Sequence, residues 1–461
     1  MTWAEQTDLN GGAGEHRRRW YPLDNTAVIF PPIISPQFTT LFRVSAELTQ
    51  AVRLRELTTA VAQLYRRAPY LCVRLRTGIF WHYLEETAAV GPLGDVGFPC
   101  TEHPRLVPTR PLLVVRCRHR RITLEISHVL TDGGGARLIL QSLLVMYRLA
   151  CLGSDGEHPE MAAAVSLLAE AREMDLLVPG DPPAEWEQCY GSREMGSRRI
   201  PAPPRYTPAW HSDGPNLAAG EYRVTTVRYP TAALREVARS SNVSLTDLGV
   251  ALYAEALQER YFSRWRRRRE RRPIRILVPV DMRPHTGLKT VRNFFVFVLV
   301  ELDQRLGSYS FAEILRKVHF QLRAELDPRT LKKQIIRNVR AERNWFNRII
   351  PVFAKDWVLR RVHRVQGEAT NTGSFSNLGS VPLPASLSPH VRTMDFVPPP
   401  STITGINVTM ISYGEKTAFT FGSVREDTGI ERFFCSRLAS FGLTGELVSN
   451  GVATRQSTER P

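Results

Sequence analysis

Apolar and polar residues alternate between Arg121 and Ser127: isoleucine or leucine takes every second position, and threonine, glutamate and serine stand between them. This period of two predicts a strand with one apolar face, and the next residue, His128, continues that face. Three glycines at 133–135 allow a tight turn, and residues 136–150 have apolar positions at helical spacing. The pattern predicts a strand that delivers a histidine into a glycine-rich turn before a buried helix.

The rest of the chain repeats strand and helix patterns in two similar halves. Residues 54–66 have helical spacing and stop before Pro69, and Ser244 with Asp247 has the form of a capping box. Prolines and glycines accumulate between the halves. We predict a flexible N-terminus (1–19), an N-terminal lobe (20–180), a crossover (181–220), a C-terminal lobe (221–448) and a disordered tail (449–461).

The chain carries a formal net charge of +16, and its densest basic block is residues 264–272. Three interpretations stay open for this block: a solvated surface, a site for an acidic partner such as a carrier protein or the phosphates of coenzyme A, and a nucleic-acid site. The block is not accompanied by an RNA- or DNA-binding motif, so we do not expect a nucleic-acid partner.

The spacing of the cysteines and the length of the apolar runs indicate the cellular location of the protein. The six cysteines are scattered without Cys-x-x-Cys spacing, and the histidines lack His-x-x-x-His spacing, so neither a disulfide framework nor a metal site is predicted. The best apolar run, 294–300, is far shorter than the roughly 20 residues of a membrane span. No secretory signal pattern opens the chain. A cytoplasmic protein without a transmembrane segment is expected.

His128 has two interpretations. A single histidine on an apolar face is more often a hydrogen-bonded core residue than a catalyst. Histidine is also the side chain whose ordinary pKa suits proton removal near neutral pH. His128 begins the spacing His128-x-x-x-Asp132-Gly133, in which the glycine backbone can approach a ligand closely.

That spacing resembles the signature of the chloramphenicol acetyltransferase-like superfamily, which includes condensation domains, plant BAHD acyltransferases and alcohol acetyltransferases. The segments 278–284, 292–298 and 375–379 also resemble parts of its second lobe, so the resemblance spans about residues 20–445. It implies an α/β fold of mixed sheets in two lobes, with an active-site channel between them.

The resemblance assigns roles to particular residues. His128 would be the general base, and the Gly133 N–H would donate to the oxyanion of the tetrahedral intermediate. A charge relay through Asp132 is conceivable, but the resemblance implies a structural ion pair with Arg283. The same network could include Asp281 and Arg292. Channel or substrate-binding roles would fall to Ser127, Ser376 and Asn377, of which the last two also suit a simple strand-to-turn connection.

The resemblance implies an acyltransferase that moves an acyl group, acetyl above others, from coenzyme A to an alcohol. Ser127 stands where condensation domains usually carry a first histidine, which favours this activity. Two alternatives stay open: a free-standing condensation-type enzyme that uses a carrier-protein (phosphopantetheine) thioester and an amine or hydroxyl acceptor, and a catalytically silent binding protein. We expect neither a tightly bound cofactor nor a metal.

Overall fold

A computed structural model describes residues 19–451 except residue 37 and the segments 104–109, 155–159, 181–205, 265–271 and 344–348. Several predictions therefore lie outside the described residues: the flexible N-terminus before Arg19, most of the crossover, nearly all of the arginine block, and the tail beyond Gly451. The start of the predicted tail overlaps a strand that ends at Ser449.

The described residues form helices and strands in mixed order. The helices are α1 (Phe30–Ile33), α2 (Leu54–Arg67), α3 (Gly133–Ser154), α4 (Met161–Glu173), α5 (Thr231–Ser240), α6 (Leu245–Arg264), α7 (Arg283–Thr286), α8 (Phe311–Glu325), α9 (Pro328–Arg343), α10 (Val352–Val362) and α11 (Gly429–Ser440). The strands are β1 (Trp20–Pro22), β2 (Leu41–Leu48), β3 (Val73–Thr77), β4 (His82–Glu86), β5 (Leu93–Gly94), β6 (Leu113–Arg118), β7 (Arg121–Ser127), β8 (Arg223–Pro230), β9 (Ile274–Asp281), β10 (Phe295–Leu302), β11 (Gly373–Ser380), β12 (Val391–Val397), β13 (Ile406–Tyr413), β14 (Lys416–Ser423) and β15 (Glu446–Ser449).

The first lobe is built on a sheet with the order β12-β2-β7-β6-β5, beside a small sheet β1-β4-β3. Helix α3 packs on α2, α4, β2 and β7. The apolar face of β7 is buried as predicted, but its polar face is buried too, because Glu125 on that face accepts hydrogen bonds from Arg43 (2.6 Å) and Arg116 (2.9 Å). Ion pairing therefore replaces the solvent on that side of the sheet.

The second lobe is built on a seven-stranded sheet with the order β10-β9-β11-β13-β14-β8-β15. Its β9–β11 and β11–β13 pairs are parallel and its other pairs are antiparallel. Helix α6 packs on α8, α11 and β9 and forms much of the core. The predicted capping box precedes α6: Asp247 N–H donates to the Ser244 hydroxyl (3.1 Å), and Ser244 N–H donates to the Asp247 carboxylate (2.9 Å).

One strand does not respect the predicted lobe boundary. Strand β12 lies within the predicted C-terminal lobe but pairs antiparallel with β2, so it belongs to the sheet of the first lobe. It covers an edge of β2 that would otherwise expose unpaired backbone groups. Asp395 on β12 accepts hydrogen bonds from Arg121 of the first lobe (2.6 Å) and Arg228 of the second (2.7 Å). The two-lobed mixed α/β architecture is as predicted. However, the C-terminal part of the chain contributes β12 to the sheet of the first lobe.

Helix α3, predicted as a buried helix, is a longer apolar segment than residues 294–300. By length and composition alone it could cross a membrane, and 72% of its most apolar window is buried inside the protein. Its apolar residues face α2, α4 and the sheet, so it is the core helix of the first lobe. Within the described residues, no group of three or more His, Cys, Asp or Glu side chains is arranged to hold a metal ion.

Candidate active site

His128 lies between the lobes. Strand β7 ends at Ser127 and α3 begins at Gly133, so His128 opens the short turn that joins them. Its side chain lies on the wall of a cavity of about 800 Å³. The wall also includes Phe30 of α1 and Phe396 of β12 on one side, and Ser376 of β11 on the other. The predicted inter-lobe position of the histidine is therefore the observed one.

Aromatic rings surround the imidazole of His128. The Phe30 ring stacks on it with a centroid distance of 5.2 Å and an interplanar angle of 22°. The Phe42 ring lies 4.4 Å away and the Phe295 ring 6.4 Å away. These three rings come from α1, β2 and β10. The packing fixes the orientation of the imidazole and removes water from most of its surface.

Burial lowers the pKa of His128 from 6.5 to about 4, against the opposing influence of the Asp132 carboxylate, Asn293 and the Thr131 backbone. The imidazole is therefore neutral near pH 7 and can accept a proton. Nδ1 is buried and has no hydrogen-bond partner among the described residues. The ring edge that carries Nε2 is thus the one left to meet a ligand in the cavity.

Asn293 supports the histidine turn, a role that the sequence did not indicate. Its Nδ2 donates to the His128 carbonyl (3.0 Å) and to the Asp24 carboxylate (3.0 Å). Burial raises the pKa of Asp24 to about 6, although Arg292 and the hydrogen bonds from Asn293 act to lower it. In the sequence an asparagine next to a strand usually indicates a turn, so Asn293 carries no local signal of this role.

The structure brings Asp132 and Arg283 together as predicted. Arg283 Nη2 lies 2.9 Å from Asp132 Oδ1, and Nη1 lies 3.2 Å from Oδ2. Arg283 Nη1 also donates to Asp281 (2.9 Å), and Nη2 donates to the Arg292 carbonyl (2.6 Å). Burial lowers the pKa of Arg283, but the carboxylates of Asp132 and Asp281 outweigh it, and the net change is a rise. The guanidinium is permanently charged and links the lobes.

Asp132 makes bonds that a catalytic relay would not require. Its carboxylate accepts the backbone N–H groups of Gly135 (2.8 Å) and Phe294 (2.7 Å). No hydrogen bond joins it to the His128 ring among the described residues. Asp132 therefore caps α3 and anchors it to the second lobe, as the structural interpretation predicts. Of the other two candidates, Asp281 joins the network by its side chain, whereas Arg292 donates from its guanidinium to the Pro22 carbonyl (2.9 Å).

The three glycines allow close packing at the start of α3. A Cβ on Gly133 would lie 2.6 Å from Leu378, and a Cβ on Gly134 would lie 2.6 Å from the Arg283 guanidinium. A Cβ on Gly135 would collide with the Val291 carbonyl. Gly133 lies on the cavity wall, and its N–H has no partner among the described residues. That N–H is at the positive end of the α3 dipole, where a negative oxygen is stabilised.

Ser127 is not at the channel wall, contrary to expectation. It is completely buried, and its hydroxyl lies 3.0 Å from His103 Nε2 and 3.3 Å from the Thr40 hydroxyl. The reason is the alternation of β7: His128 and Ser127 point to opposite faces of the sheet, and the polar face is covered. The serine stabilises the interior of the first lobe.

Ser376 and Asn377 both line the cavity, but they differ in their bonds. Asn377 Nδ2 donates to the Thr246 hydroxyl (2.9 Å), and its Oδ1 accepts the Gly379 N–H (2.7 Å). The Asn377 amide thus closes a local turn, which matches the alternative role of a simple strand-to-turn connection. The Ser376 hydroxyl has no partner among the described residues, so it can bind a ligand.

No protein-family profile and no curated protein matches the chain. Solved structures do match it over nearly the whole length. The trichothecene 15-O-acetyltransferase TRI3 of Fusarium sporotrichioides has a TM-score of 0.58 and 10% identity, covering 94% of this chain and 96% of that chain. TRI101 of the same organism, solved with coenzyme A and T-2, has a TM-score of 0.54 and 10% identity, covering 93% and 99%.

A third match comes from a different kind of protein. The first condensation domain of the calcium-dependent antibiotic synthetase, solved with a substrate analogue, has a TM-score of 0.52 and 14% identity, covering 92% of this chain and 96% of that chain. Identities this low establish a shared fold and no more. The predicted fold is confirmed: this chain has the two-lobed chloramphenicol acetyltransferase-like fold of the acetyltransferases and the condensation domain.

Proposed function

We propose that this protein is an acyltransferase that moves an acyl group from the thioester of coenzyme A to the hydroxyl of an alcohol, with His128 as general base. One observation carries the proposal: a neutral imidazole lines the same inter-lobe cavity as the Gly133 N–H, which has no partner among the described residues. Two structural neighbours support the choice of reaction: TRI3 is a trichothecene 15-O-acetyltransferase, and TRI101 was solved with coenzyme A and T-2.

In the proposed reaction, His128 Nε2 takes the proton of the acceptor hydroxyl while the hydroxyl oxygen attacks the thioester carbonyl carbon. The carbonyl oxygen becomes negative and accepts the Gly133 N–H, an interaction worth about 3–4 kcal/mol in other acyl-transfer enzymes. The tetrahedral intermediate then expels the thiolate, which recovers the proton from the imidazolium. The thioester is already activated, so no acyl-enzyme is required.

The cavity offers different chemistry along its wall. Phe30, Ile33 and Phe396 provide an apolar surface for the acyl chain or an apolar acceptor, while Arg337 provides a cation. The phosphates of coenzyme A need such a cation, so Arg337 is a donor-binding candidate that the sequence did not single out. The arginine block at 264–272, for which this role is one of three open interpretations, lies almost wholly outside the described residues.

Acceptor-dependent release of free thiol tests the proposed function. We expect purified protein to release coenzyme A from a panel of acyl-CoAs when alcohols are supplied, with the ester detected by mass spectrometry. Thiol release that needs an acyl carrier protein and an amine would instead support the condensation-type alternative, which the condensation-domain match favours. Binding of ligands without any turnover would leave the catalytically silent alternative.

The pH dependence of activity should reveal the buried histidine. Because burial lowers the pKa of His128 to about 4, kcat/KM should stay nearly constant from pH 8 to about 5 and fall below that. An exposed base would lose activity near pH 6.5. A pH profile measured with a small acceptor checks this, and an inflection near 6.5 would contradict it.

The free energy of unfolding should also depend on pH through His128, and it should fall as the solution becomes more acidic. The unfolded chain protonates this histidine near pH 6.5 and the folded chain near pH 4, so its neutral form stabilises the fold above pH 6.5. As pH falls from 6.5 through 4, about 3 kcal/mol is lost. Urea unfolding of wild type and His128→Gln at several pH values isolates this contribution, since the variant lacks it.

A further inference from the structure

Helix α10 carries its large apolar side chains on the outside. Phe353 is 73% exposed and Trp357 is 68% exposed, whereas Val352 and Asp356 are buried. A surface helix normally directs its apolar face to the core and its polar face to water. Apolar side chains clustered on the outside indicate an interaction surface.

The turn between β3 and β4 extends this surface. Ile79 is 75% exposed and Trp81 is 57% exposed. The Val352 N–H donates to the Ile79 carbonyl (2.8 Å), and Lys355 Nζ donates to the Phe80 carbonyl (2.7 Å). Turn and helix are therefore one surface, which we call the outer face: the exposed side of α10, Arg364 in the segment that follows it, and residues 79–81.

A buried hydrogen bond holds the outer face together from beneath. His82 Nε2 lies 3.0 Å from Asp356 Oδ1, and both side chains are less than 10% exposed. Their bond joins β4 to α10, so the aromatic residues above them are held on a fixed support. The exposed apolar residues of the outer face therefore form one supported cluster, unlike apolar residues scattered singly over a surface.

The solvent-exposed charges of the outer face are all positive. Arg360, Arg361 and Arg364 are exposed, and Asp356 is the single acidic residue between 349 and 367 and is buried. Surfaces that combine tryptophan and phenylalanine with arginine bind the headgroup region of bilayers that contain anionic lipid. The aromatic rings enter the interface, and the guanidinium groups bind the phosphates.

The outer face adjoins the cavity. Helix α10 packs on α1, whose Phe30 and Ile33 line the cavity. His363 follows α10 directly, lines the cavity, and lies 5.7 Å from the Phe38 ring. The helix that carries the outer face is thus the one that packs against the apolar wall of the cavity.

We propose that the outer face docks the protein on the surface of an anionic lipid bilayer. Charge complementarity and the exposed aromatic residues support this occupant over a second copy of the chain, which would present arginine to arginine. The proposal does not depend on the reaction catalysed in the cavity.

Sedimentation with lipid vesicles tests the proposal. We expect the full chain to bind vesicles of phosphatidylcholine with phosphatidylglycerol at least tenfold more strongly than vesicles of phosphatidylcholine alone. Phe353→Ser/Trp357→Ser should weaken binding to the anionic vesicles by about tenfold or more, because two large apolar side chains no longer enter the interface. The variant Arg360→Gln/Arg361→Gln/Arg364→Gln should abolish the preference for anionic lipid.

The matched control is Phe320→Ser, since Phe320 is a 64% exposed aromatic residue on α8, away from the outer face. It should bind vesicles like wild type. Thermal unfolding and turnover of a water-soluble acceptor should be unchanged in Phe353→Ser/Trp357→Ser, which shows that the variant is folded. Failure of wild type to bind anionic vesicles overturns the proposal, as does equal binding by that variant. A wild-type dimer that the same variant converts to a monomer would show self-association instead.

Discussion

Replacing His128 with alanine is expected to lower kcat by at least ~100-fold while the fold stays intact, because loss of a general base typically costs ~10²–10⁴ in rate. The imidazole packs among Phe30, Phe42 and Phe295, so the variant also leaves a small cavity. Circular dichroism and thermal unfolding establish that the protein is folded, and steady-state kinetics with an acyl-CoA and an alcohol measure the loss.

A matched control separates the role of this histidine from histidine loss in general. His285 is exposed on α7 and does not line the cavity, so His285→Ala should keep wild-type kcat. His128→Gln keeps much of the volume but cannot act as a base, and should be as inactive as His128→Ala. Near wild-type turnover by a folded His128→Ala protein is the result that overturns the proposed mechanism.

The second large effect is expected at the ion pair between the lobes. Arg283→Ala should lower the free energy of unfolding by about 3–5 kcal/mol, because it leaves the buried Asp132 carboxylate without its cation. Asp132→Asn should cost less, about 1–3 kcal/mol, since Asp281 still pairs with Arg283. Urea unfolding measures both, and activity should fall with stability in each variant.

The relative sizes of these two losses distinguish a structural role of Asp132 from a charge relay. A charge relay through Asp132 would make Asp132→Asn the variant with the larger loss of activity at unchanged stability. The control is Arg305→Ala, which breaks a pair with Asp303 on the surface and should change the unfolding free energy little. Loss of kcat in a fully stable Asp132→Asn protein would contradict the structural role.

Local patterns were sufficient for the elements around the site. The alternation along 121–127 and the glycines at 133–135 correspond to β7 and the start of α3, and the capping box before α6 is present. These features depend on side chains a few residues apart, which the sequence displays directly. The pairing of Asp132 with Arg283, 151 residues apart, came from resemblance, because spacing alone carries no signal at that distance.

The strand, the turn and the candidate base are predictable from local sequence, since each depends on periodicity or on backbone freedom at glycine. The crossing of β12 to the sheet of the first lobe, and the enclosure of His128 by three rings from different elements, become visible only in the folded chain. The same is true of the burial of Ser127. Burial and long-range pairing depend on which elements meet in space, and the low pKa of His128 follows from that burial rather than from any neighbour along the chain.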